Sequence, residues 1–482
     1  MSSAPIAAGR VLPTLNQDGT RRWIRPKPSF GRHFVRRRVV AYGLMFAFFI
    51  IPYLRVGGKP FVLLDLPRRQ FTIAGTTFLP TDTLLLMLLM ASILITIFLL
   101  TAILGRVWCG WACPQTVYME FLFRPIERFF EGGRSGSVAL DAKHIRGQFS
   151  PRRLAKYATY FVLALFLAHT FLAYFVGIDQ LKVWVTRSPV NHPTSFAIMA
   201  LTTGAIMFDF TFFREQTCMV ACPYGRWQSA LLDKQSLIVA YDKTRGEPRA
   251  KGKVRPANAG DCIDCGACTL TCPTGIDIRD GLQMECIHCT QCADACDAIM
   301  EKIGKPKGLI RYSSIAALAG ETPKKLRPRV VLYPAALALT FGGLLFALAT
   351  KSPADVTILR GMGEPYVVET DGRVANQLRV KIANRTAESR SYAIDIDDLG
   401  DGKLVAPENP LSVAAGKTES AALFVMLPRR AFHDGERRVR FTISDGAGWH
   451  ATIPYRLVGP EHDDHAHDDH ERDDQKRDGG HR

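Results

Sequence analysis

Two groups of four cysteines are the features of this sequence most capable of chemistry. Each group has the spacing C-x2-C-x2-C-x3-C, and together they occupy residues 262–296. Three thiolates this close together can bind three irons of one [4Fe–4S] cube, and in bacterial two-cluster ferredoxins the fourth cysteine binds the other cube. The predicted ligands are Cys262, Cys265, Cys268 and Cys296 for one cube, and Cys286, Cys289, Cys292 and Cys272 for the other.

Zinc is the alternative metal, because pairs of C-x2-C motifs also build zinc sites. A zinc ion takes its four ligands as two pairs, however, whereas three cysteines at two-residue gaps followed by a fourth suit a cube better.

One position departs from the ferredoxin pattern. Pro273 follows the first group, but Asp297 stands where a second Pro is expected. We expect this change to affect the local turn and not the ligands.

The other four cysteines form two C-x3-C-P motifs, Cys109–Pro114 and Cys218–Pro223. A Pro suits the first turn of a helix and biases the residue before it toward extended backbone. The pattern therefore predicts Cys113 and Cys222 at helix N-termini. There the helix dipole and an arginine just upstream of each motif are expected to lower the thiol pKa.

Several roles are open for Cys109, Cys113, Cys218 and Cys222. Thiolates are soft ligands, so they could bind Cu(I) or a further iron–sulfur centre, and they could also act as redox-active dithiols. A purely structural role, in which small thiols pack helix ends, is the alternative. All 12 cysteines fall in these motifs, which leaves none for structural disulfides and indicates a reducing compartment.

Apolar segments surround the motifs and predict a membrane protein. The predicted spans are Val39–Leu54, Thr81–Leu104, Tyr157–Val176, Ser195–Phe213 and Val330–Thr350. The first is shorter than the roughly 20 residues that a bilayer requires. Because the C-x3-C-P motifs follow the second and fourth spans, the first four spans resemble two copies of one hairpin. Packed side by side, the copies would bring the four cysteines together.

The formal net charge of +16 is explained by membrane topology. Lys and Arg concentrate in residues 1–38, 105–156 and 214–329 and are scarce in 55–80 and 178–194. The positive-inside rule places the basic segments in the cytoplasm and everything after the fifth span on the outer side. The basic leader has no signal-peptide cleavage site and predicts a signal anchor. Nucleic-acid binding is disfavoured, since no binding motif accompanies the charge.

The sequence changes character after the fifth span. Apolar and polar residues alternate in Leu378–Ile382, Tyr392–Ile396, Val439–Ile443 and Ile453–Leu457. This period predicts a small immunoglobulin-like β-sandwich, with a β-barrel as the alternative. Residues 461–482 are rich in His and Asp, which is compatible with loose binding of a divalent metal or with a solvated tail.

These features predict a multi-domain membrane protein with a five-span α-helical bundle, a cytoplasmic ferredoxin-like segment and a C-terminal all-β sandwich. The predicted domains are a basic cytoplasmic tail (1–38), four spans in two hairpin repeats (39–213), a 2[4Fe–4S] segment (214–329), a fifth span (330–350), a periplasmic immunoglobulin-like domain (351–460) and a His/Asp-rich tail (461–482).

Three further polar residues are weaker candidates for function. His169 and Asp209 lie in predicted spans, where polar side chains are costly and often functional. His169 could bind haem, meet a quinone or bond to another helix, and Asp209 could simply be hydrated. His288, inside the second ferredoxin group, is expected to tune or shield a cube.

The combination of motifs resembles the FixG/RdxA/CcoG family, whose members are accessory proteins of cbb3-type cytochrome c oxidase. The resemblance covers roughly residues 30–460 and rests on Cys109, Cys113, Cys218 and Cys222 together with the eight ferredoxin cysteines. It implies a protein of the bacterial cytoplasmic membrane that assists oxidase maturation as a cupric reductase, converting Cu(II) to Cu(I). The implied partners are the oxidase assembly machinery, copper ions and an unknown cytoplasmic electron donor.

Two other functions fit the same residues. The first is a quinol-linked ferredoxin-type subunit that feeds a periplasmic reductase. The second is a non-enzymatic assembly scaffold whose clusters are structural. In the copper hypothesis, electrons enter at one cube, cross to the other and reach copper at the C-x3-C-P cysteines.

Overall fold

The computed structural model describes residues 13–460 apart from short gaps at 17, 19, 68–69, 79–81, 146–149, 252–255, 323–326 and 387. The chain forms two compact units, Met1–Leu348 and Ala349–Arg482. All of the cysteine motifs belong to the first unit. The predicted His/Asp-rich tail at 461–482 lies outside the described residues.

Helices dominate the first unit. In chain order they are α1 (Arg32–Ile50), α2 (Thr83–Leu104), α3 (Val107–Trp111), α4 (Pro114–Tyr118), α5 (Arg124–Glu131), α6 (Gly133–Ile145), α7 (Pro151–Val176), α8 (Ile178–Val185), α9 (Pro193–Phe208), α10 (Pro223–Leu231), α11 (Lys243–Gly246), α12 (Ala267–Thr271), α13 (Gln291–Lys302), α14 (Ile315–Leu318) and α15 (Pro328–Ala349). Three π-helical turns join them, at Met119–Phe123, Asp209–Phe213 and Thr217–Ala221.

Short strands complete the first unit. They are β1 (Arg55–Val56), β2 (Lys59–Pro60), β3 (Val62–Asp65), β4 (Gln70–Ile73), β5 (Thr76–Phe78), β6 (Ile238–Tyr241) and β7 (Ile310–Ser313). Strands β1 to β5 form two small antiparallel sheets between α1 and α2, and β6 pairs with β7 beside the ferredoxin cysteines.

Four helices in the described part of the chain are long and apolar enough to cross a membrane. They are α2, α7, α15 and the helix Pro193–Phe213, which α9 forms with the π-helical turn after it. Each has 21 to 26 residues, which suffices for a hydrocarbon core about 30 Å thick. Little of their most apolar stretches is buried within the unit, 6% to 33%. The chain is therefore a membrane protein, and four predicted spans correspond to these helices.

The first predicted span, Val39–Leu54, stays a prediction. Helix α1 covers most of it but begins earlier and includes Arg36, Arg37 and Arg38. Its N-terminus is held by α13, because the backbone N–H groups of His33 and Phe34 donate to the Asp294 carboxylate at 3.2 and 2.7 Å. Helix α1 therefore runs across the predicted boundary at residue 38 and connects the basic segment to the ferredoxin segment.

The ferredoxin segment is built around its cysteines. Helices α12 and α13 and the β6–β7 pair enclose a core in which cysteines pack with Val239, Ile276, Ile278, Met300 and Leu309. Helix α12 ends at Thr271, and Cys272 follows it in extended backbone, directly before Pro273. Helix α13 instead continues through Cys296 and Asp297, whose carboxylate accepts from the Gly308 N–H at 2.8 Å. The missing Pro therefore lengthens the helix after the second group.

The second unit is a sandwich of two antiparallel sheets. Its strands are β8 (Ala354–Arg360), β9 (Val367–Val368), β10 (Arg373–Asn384), β11 (Arg390–Asp397), β12 (Lys403–Val405), β13 (Leu411–Val413), β14 (Thr418–Pro428), β15 (Glu436–Ser444) and β16 (His450–Val458). One sheet has the order β12–β14–β10–β8, with β9 beside β10, and the other has the order β13–β11–β15–β16.

The period-two alternation explains this sandwich. The four predicted stretches lie in β10, β11, β15 and β16, and alternate residues of these strands enter one core. Val380, Leu423, Phe441 and Ile443 are completely buried there. Because the strands form two separate sheets, the predicted sandwich is confirmed and the β-barrel alternative is wrong.

Truncation of this core has a predictable cost. We expect Phe441→Ala to lower the free energy of unfolding of the second unit by about 3–5 kcal/mol, because it leaves a cavity in a closed core. Hydrogen exchange of the β15 amides in the full-length protein measures this change. Leu359→Ala, at a strand position that is 46% exposed, is the control and should leave exchange nearly unchanged. Equal exchange in the two variants would contradict the assignment of the core.

Candidate metal centres

The two C-x3-C-P motifs have matching backbones. The apolar helix before each one ends at a residue with positive φ, Gly105 (φ 60°, ψ −134°) and Arg214 (φ 53°, ψ −121°). The first cysteine follows four residues later. The second cysteine is extended, with φ −61° at Cys113 and −77° at Cys222, and the next Pro begins α4 or α10. The predicted local conformation is confirmed, and the structural counterpart of Arg214 is Gly105.

The four thiols of these motifs are neighbours, with Cys109 buried and the other three half-buried. The Cys109 thiol donates to the Gln228 side-chain oxygen at 2.9 Å. Burial raises the pKa of Cys218 to about 12, and the Cys113, Cys109 and Cys222 thiols act in the same direction. Burial also raises the pKa of Cys113. The expected lowering at this cysteine is therefore wrong, because desolvation outweighs the N–H groups of a five-residue helix.

The first C-x3-C-P motif lies directly against the second ferredoxin group. A Cβ added to Gly110 would lie 2.5 Å from the Ile287 carbonyl oxygen and 2.9 Å from the Cys289 backbone nitrogen. Cys109, Ile287 and Cys289 consequently share one buried apolar cluster. The absence of a side chain at Gly110 is what allows the two backbones to approach this closely.

The second motif approaches the same ferredoxin group from another side. Cys218 and Ile287 line one small cavity together with Pro273 and Thr274, which follow Cys272. Cys218 and Cys109 are thus both adjacent to residues of the second predicted ligand set. One cysteine of each C-x3-C-P motif therefore lies beside the segment that carries the Cys272/Cys286/Cys289/Cys292 set.

The structure brings each predicted ligand set together. One small cavity with apolar walls is lined by Cys272, Cys286, Cys289 and Cys292. Cys268 of α12 lines the same cavity. For the other set, burial raises the pKa of Cys296 to about 12, and the nearby Cys268, Cys262 and Cys265 thiols contribute to this rise. The cross-ligation predicted from the spacing is therefore compatible with the fold.

The donor arrangement fits cubes better than single ions. Within the described ranges, no three His, Cys, Asp or Glu side chains are gathered to hold one metal ion. The thiolates of a cube bind different irons and stand farther apart. A second observation supports the fit: Arg37 is fully buried, and its two terminal nitrogens have no hydrogen-bond partner. A thiolate-ligated cube beside Cys289 would supply the negative charge that this guanidinium lacks.

Arg37 is a residue whose role the sequence did not reveal. Its Nε donates to the Gly110 carbonyl oxygen at 2.8 Å. Burial lowers the pKa of Arg37, and the nearby Cys289 acts in the opposite direction. Arg37 therefore holds the first C-x3-C-P motif on the second ferredoxin group. Nothing in the sequence distinguishes it from Arg36 and Arg38.

His288 links the same two elements. It is fully buried with φ 54°, and its Nδ1 accepts from the Arg106 backbone N–H at 3.1 Å. Burial, followed by the charge of Arg106, lowers its pKa to about 3, so the ring is neutral near pH 7. Its carbonyl accepts from Tyr312, whose hydroxyl accepts from Trp111 of the first motif. His288 is thus part of the interface between the first C-x3-C-P motif and the second ferredoxin group.

Buried ion pairs hold the two motifs together. The Arg214 guanidinium donates to both oxygens of Glu127 at 2.9 and 3.0 Å. Burial alone would raise the pKa of Glu127, but Arg214 lowers it to about 2. Arg124 pairs with Glu120 and with Glu215 and donates to the Pro273 carbonyl at 3.4 Å. This network connects α5, the start of the second motif and the end of α12.

His169 and Asp209 lie in different surroundings. The His169 ring pairs with the Leu165 carbonyl of its own helix at 2.8 Å, instead of with another span. It lines a cavity of about 170 Å³ with Trp184 and His192, whose rings stack at 4.4 Å. Asp209 accepts from the Thr217 hydroxyl and so joins the end of its span to the second C-x3-C-P motif.

Family comparisons agree with this arrangement. A model described as a 4Fe-4S dicluster domain matches residues 213–315, and one described as a 4Fe-4S binding domain matches residues 86–132. A third, described as an IG-like fold at the C-terminus of FixG, matches residues 344–460. Together with the apolar helices, these matches define an iron–sulfur electron-transfer protein of a membrane.

Relatives identify the family. The chain is 33% identical to the nitrogen fixation protein FixG of Rhizobium meliloti over 90% of its own length and 92% of that protein. It is 34% and 36% identical to RdxB and RdxA of Cereibacter sphaeroides, over 79% and 70% of its length and 83% and 73% of theirs. The chain belongs to the FixG/RdxA family.

The close approach at Gly110 can be tested by adding one methyl group. We expect Gly110→Ala to destabilise the first unit by roughly 1–3 kcal/mol, because the backbones must separate to admit a Cβ. We further expect a lower iron content and a changed electron paramagnetic resonance (EPR) signal from the cube beside Cys289. Iron analysis and EPR of the reduced protein measure both effects.

A matched control is Gly43→Ala in α1, where an added Cβ would have no neighbour within 4 Å. This variant should retain its iron and its EPR signal. An unchanged signal in Gly110→Ala would show that the two motifs are not packed as described.

Proposed function

We propose that this protein is a cupric reductase of the bacterial cytoplasmic membrane that supplies Cu(I) for the maturation of a cbb3-type cytochrome c oxidase. The observation that carries the proposal is the packing of Cys109 and Gly110 against Ile287 and Cys289. It places four soft metal ligands next to the ligands of an electron-transfer centre. The oxidase as the destination of copper comes from the family resemblance.

The exposure of the cysteines gives the electron route a direction. Cys265 is exposed, whereas Cys286 and Cys289 are buried. We infer that a cytoplasmic donor delivers electrons at the Cys262/Cys265/Cys268/Cys296 set. Helix α12 contains Cys268 of this set and ends directly before Cys272 of the other, which brings the two sets within reach of one another. The cubes supply one-electron transfer when bound, and the chain positions the acceptor beside the second set.

Copper is the substrate in this proposal. Each Cu(II) takes one electron, and thiolates then favour the Cu(I) product over Cu(II). Because burial raises the pKa of Cys109, Cys113 and Cys218, copper binding must displace thiol protons. Copper binding also requires the thiols to move closer, since they are not gathered around a single point among the described residues.

Charge distribution supports the proposed topology. With five spans, including the first one at Val39–Leu54, the N-terminus and the ferredoxin segment face the cytoplasm and the immunoglobulin-like domain faces the periplasm. Copper would then be reduced on the cytoplasmic side. The domain in the periplasm would be available to contact the assembly machinery of the oxidase.

Quinol-linked electron transfer is the second candidate. It is favoured by the cavity that His169, Trp184 and His192 line, since aromatic rings and a histidine N–H can hold a quinone head group. His169 is 18 positions after Pro151 and therefore about 27 Å along α7. Tyr160, which donates to the Phe123 carbonyl near the cysteine motifs, is midway between these two residues and about 14 Å along α7 from His169. The cavity is therefore set apart from the cysteine motifs along this helix.

The reductase proposal makes a stoichiometric prediction. Protein that has been reduced anaerobically and freed of reductant should convert about two Cu(II) to Cu(I), one for each cube. The double variant Cys109→Ser/Cys113→Ser should react at least about tenfold more slowly while it keeps its cubes, because it lacks the thiolates that bind copper. A chromogenic Cu(I) chelator measures the yield and the rate.

The control variant is Ser92→Ala in α2, which lies outside all of the motifs and should react like the unaltered protein. Reduced cubes that do not react with Cu(II), but that re-oxidise with an added quinone, would favour the second candidate. A double variant as fast as the unaltered protein would remove these cysteines from the reaction.

A further inference from the structure

A large cavity of the first unit lies apart from the ones that the cysteines line. Its volume is about 820 Å³, within the roughly 300–1,000 Å³ typical of sites for small ligands. Four parts of the chain form its walls: the segment 25–28 before α1, the region from α5 into α6, Arg214, and Leu270 of α12. We call it the basic cavity.

The charge of the basic cavity is strongly positive. Among its described lining residues, one is an acid, Glu127, and six are cationic: Arg25, Lys27, Arg124, Arg128, Arg134 and Arg214. Three of the arginines have carboxylate partners, since Arg25 pairs with Asp141 at 2.5 Å and the other two belong to the buried network.

Two of the remaining cations are not neutralised, since the side chains of Lys27 and Arg134 have no ion-pair partner in the part of the chain that the structure describes. The third, Arg128, lies near the Glu127 carboxylate, which favours its charged form. In addition, the Nε atoms of Arg124 and Arg25 are buried and have no hydrogen-bond partner among the described residues. Arg124 as a whole is 3% exposed. A wall with unsatisfied donors and surplus positive charge favours an anion.

The geometry indicates which anion. Arginine forks match the oxygens of a phosphate, and several cations together suit a group with more than one charged oxygen. Helix α6, of 13 residues, begins at the cavity with Gly133, and its free N–H groups add to the attraction. Pro26, Pro28, Val138 and Leu270 supply apolar wall beside the cations. The ligand therefore has an apolar part as well.

We propose that the basic cavity binds a phosphate-bearing ligand with an apolar or aromatic portion. Two sources have this chemistry, a soluble aromatic phosphate such as a flavin mononucleotide and the head group of an anionic phospholipid. The inference rests on the cavity alone and is independent of copper reduction.

The ligand would lie against the helix that joins the two predicted cubes. Leu270 lines the cavity, and its carbonyl accepts from the Lys27 N–H at 2.9 Å. The next residue, Thr271, donates its hydroxyl to the Lys27 carbonyl at 2.7 Å. Cys268 and Cys272 flank this pair. Binding is therefore expected to alter the EPR signals of the cubes.

The test uses full-length protein with its iron intact, held in lipid nanodiscs. In nanodiscs of neutral phosphatidylcholine, flavin mononucleotide is added and its fluorescence quenching is followed, with inorganic pyrophosphate as competitor. A second preparation contains phosphatidylglycerol. Lys27→Ala and Arg134→Ala remove exposed cations of the cavity, and Arg36→Ala removes an exposed arginine that does not line it. Iron content shows that each variant is folded.

If the source is soluble, the flavin binds in neutral nanodiscs and pyrophosphate displaces it. Each cavity variant then weakens binding about tenfold, as expected for the loss of one charge-assisted contact, and Arg36→Ala does not. If the source is lipid, phosphatidylglycerol blocks the flavin, and native mass spectrometry finds this lipid retained by the unaltered protein and lost from Arg134→Ala.

Two results overturn the proposal. One is the absence of both flavin binding in neutral nanodiscs and lipid retention that depends on Arg134. The other is flavin binding that the cavity variants and Arg36→Ala weaken equally. Neither result bears on copper reduction, which is measured separately.

Discussion

The contact between the Gly110 backbone and the backbone of Ile287 and Cys289 is the constraint on which the rest of the first unit depends. It brings a C-x3-C-P motif from the end of one apolar helix against the second ferredoxin group. Arg37 then donates to the Gly110 carbonyl, and His288 accepts from the backbone N–H of Arg106, which precedes the motif. If these backbones were separated by a side chain, the metal ligands on the two sides would no longer be neighbours.

Burial of charge explains why this arrangement is held rigidly. Arg37, Arg124, Arg214, Glu120 and Glu127 are all less than 7% exposed. Ions in such surroundings are tolerated only when they are paired and hydrogen-bonded. The Arg–Glu network satisfies most of them and connects the segments that carry the cysteines. Arg37 is the exception, and the cube predicted beside Cys289 is what would compensate its charge.

Features that follow from local rules could be predicted from the sequence. The spacing of the eight ferredoxin cysteines indicated a 4Fe-4S segment, and the Pro after Cys113 and Cys222 indicated extended cysteines followed by helices. Period-two alternation predicted the sandwich. Four spans followed from uninterrupted apolar runs. Three of the helices begin a few residues before the predicted span, at Pro151, Pro193 and Pro328.

Features that depend on distant contacts could not be predicted. Arg37 and His288 matter because of what folds against them, and neither spacing nor composition records that. The thiol pKa of Cys113 was expected to fall because a helix begins there. The pKa rises because burial is the larger effect, and the extent of burial cannot be derived from the sequence. The first span is ambiguous for a physical reason, since four arginines lie inside the helix that would form it.

Rapid-freeze EPR is the most direct test of the central claim that electrons pass from the cubes to copper beside Cys109. Reduced, reductant-free protein would be mixed with Cu(II) and frozen at increasing times. The account predicts that the signal of the reduced cubes and the signal of Cu(II) disappear together, at the same rate. A Cu(II) signal that persists while the cubes stay reduced would contradict it.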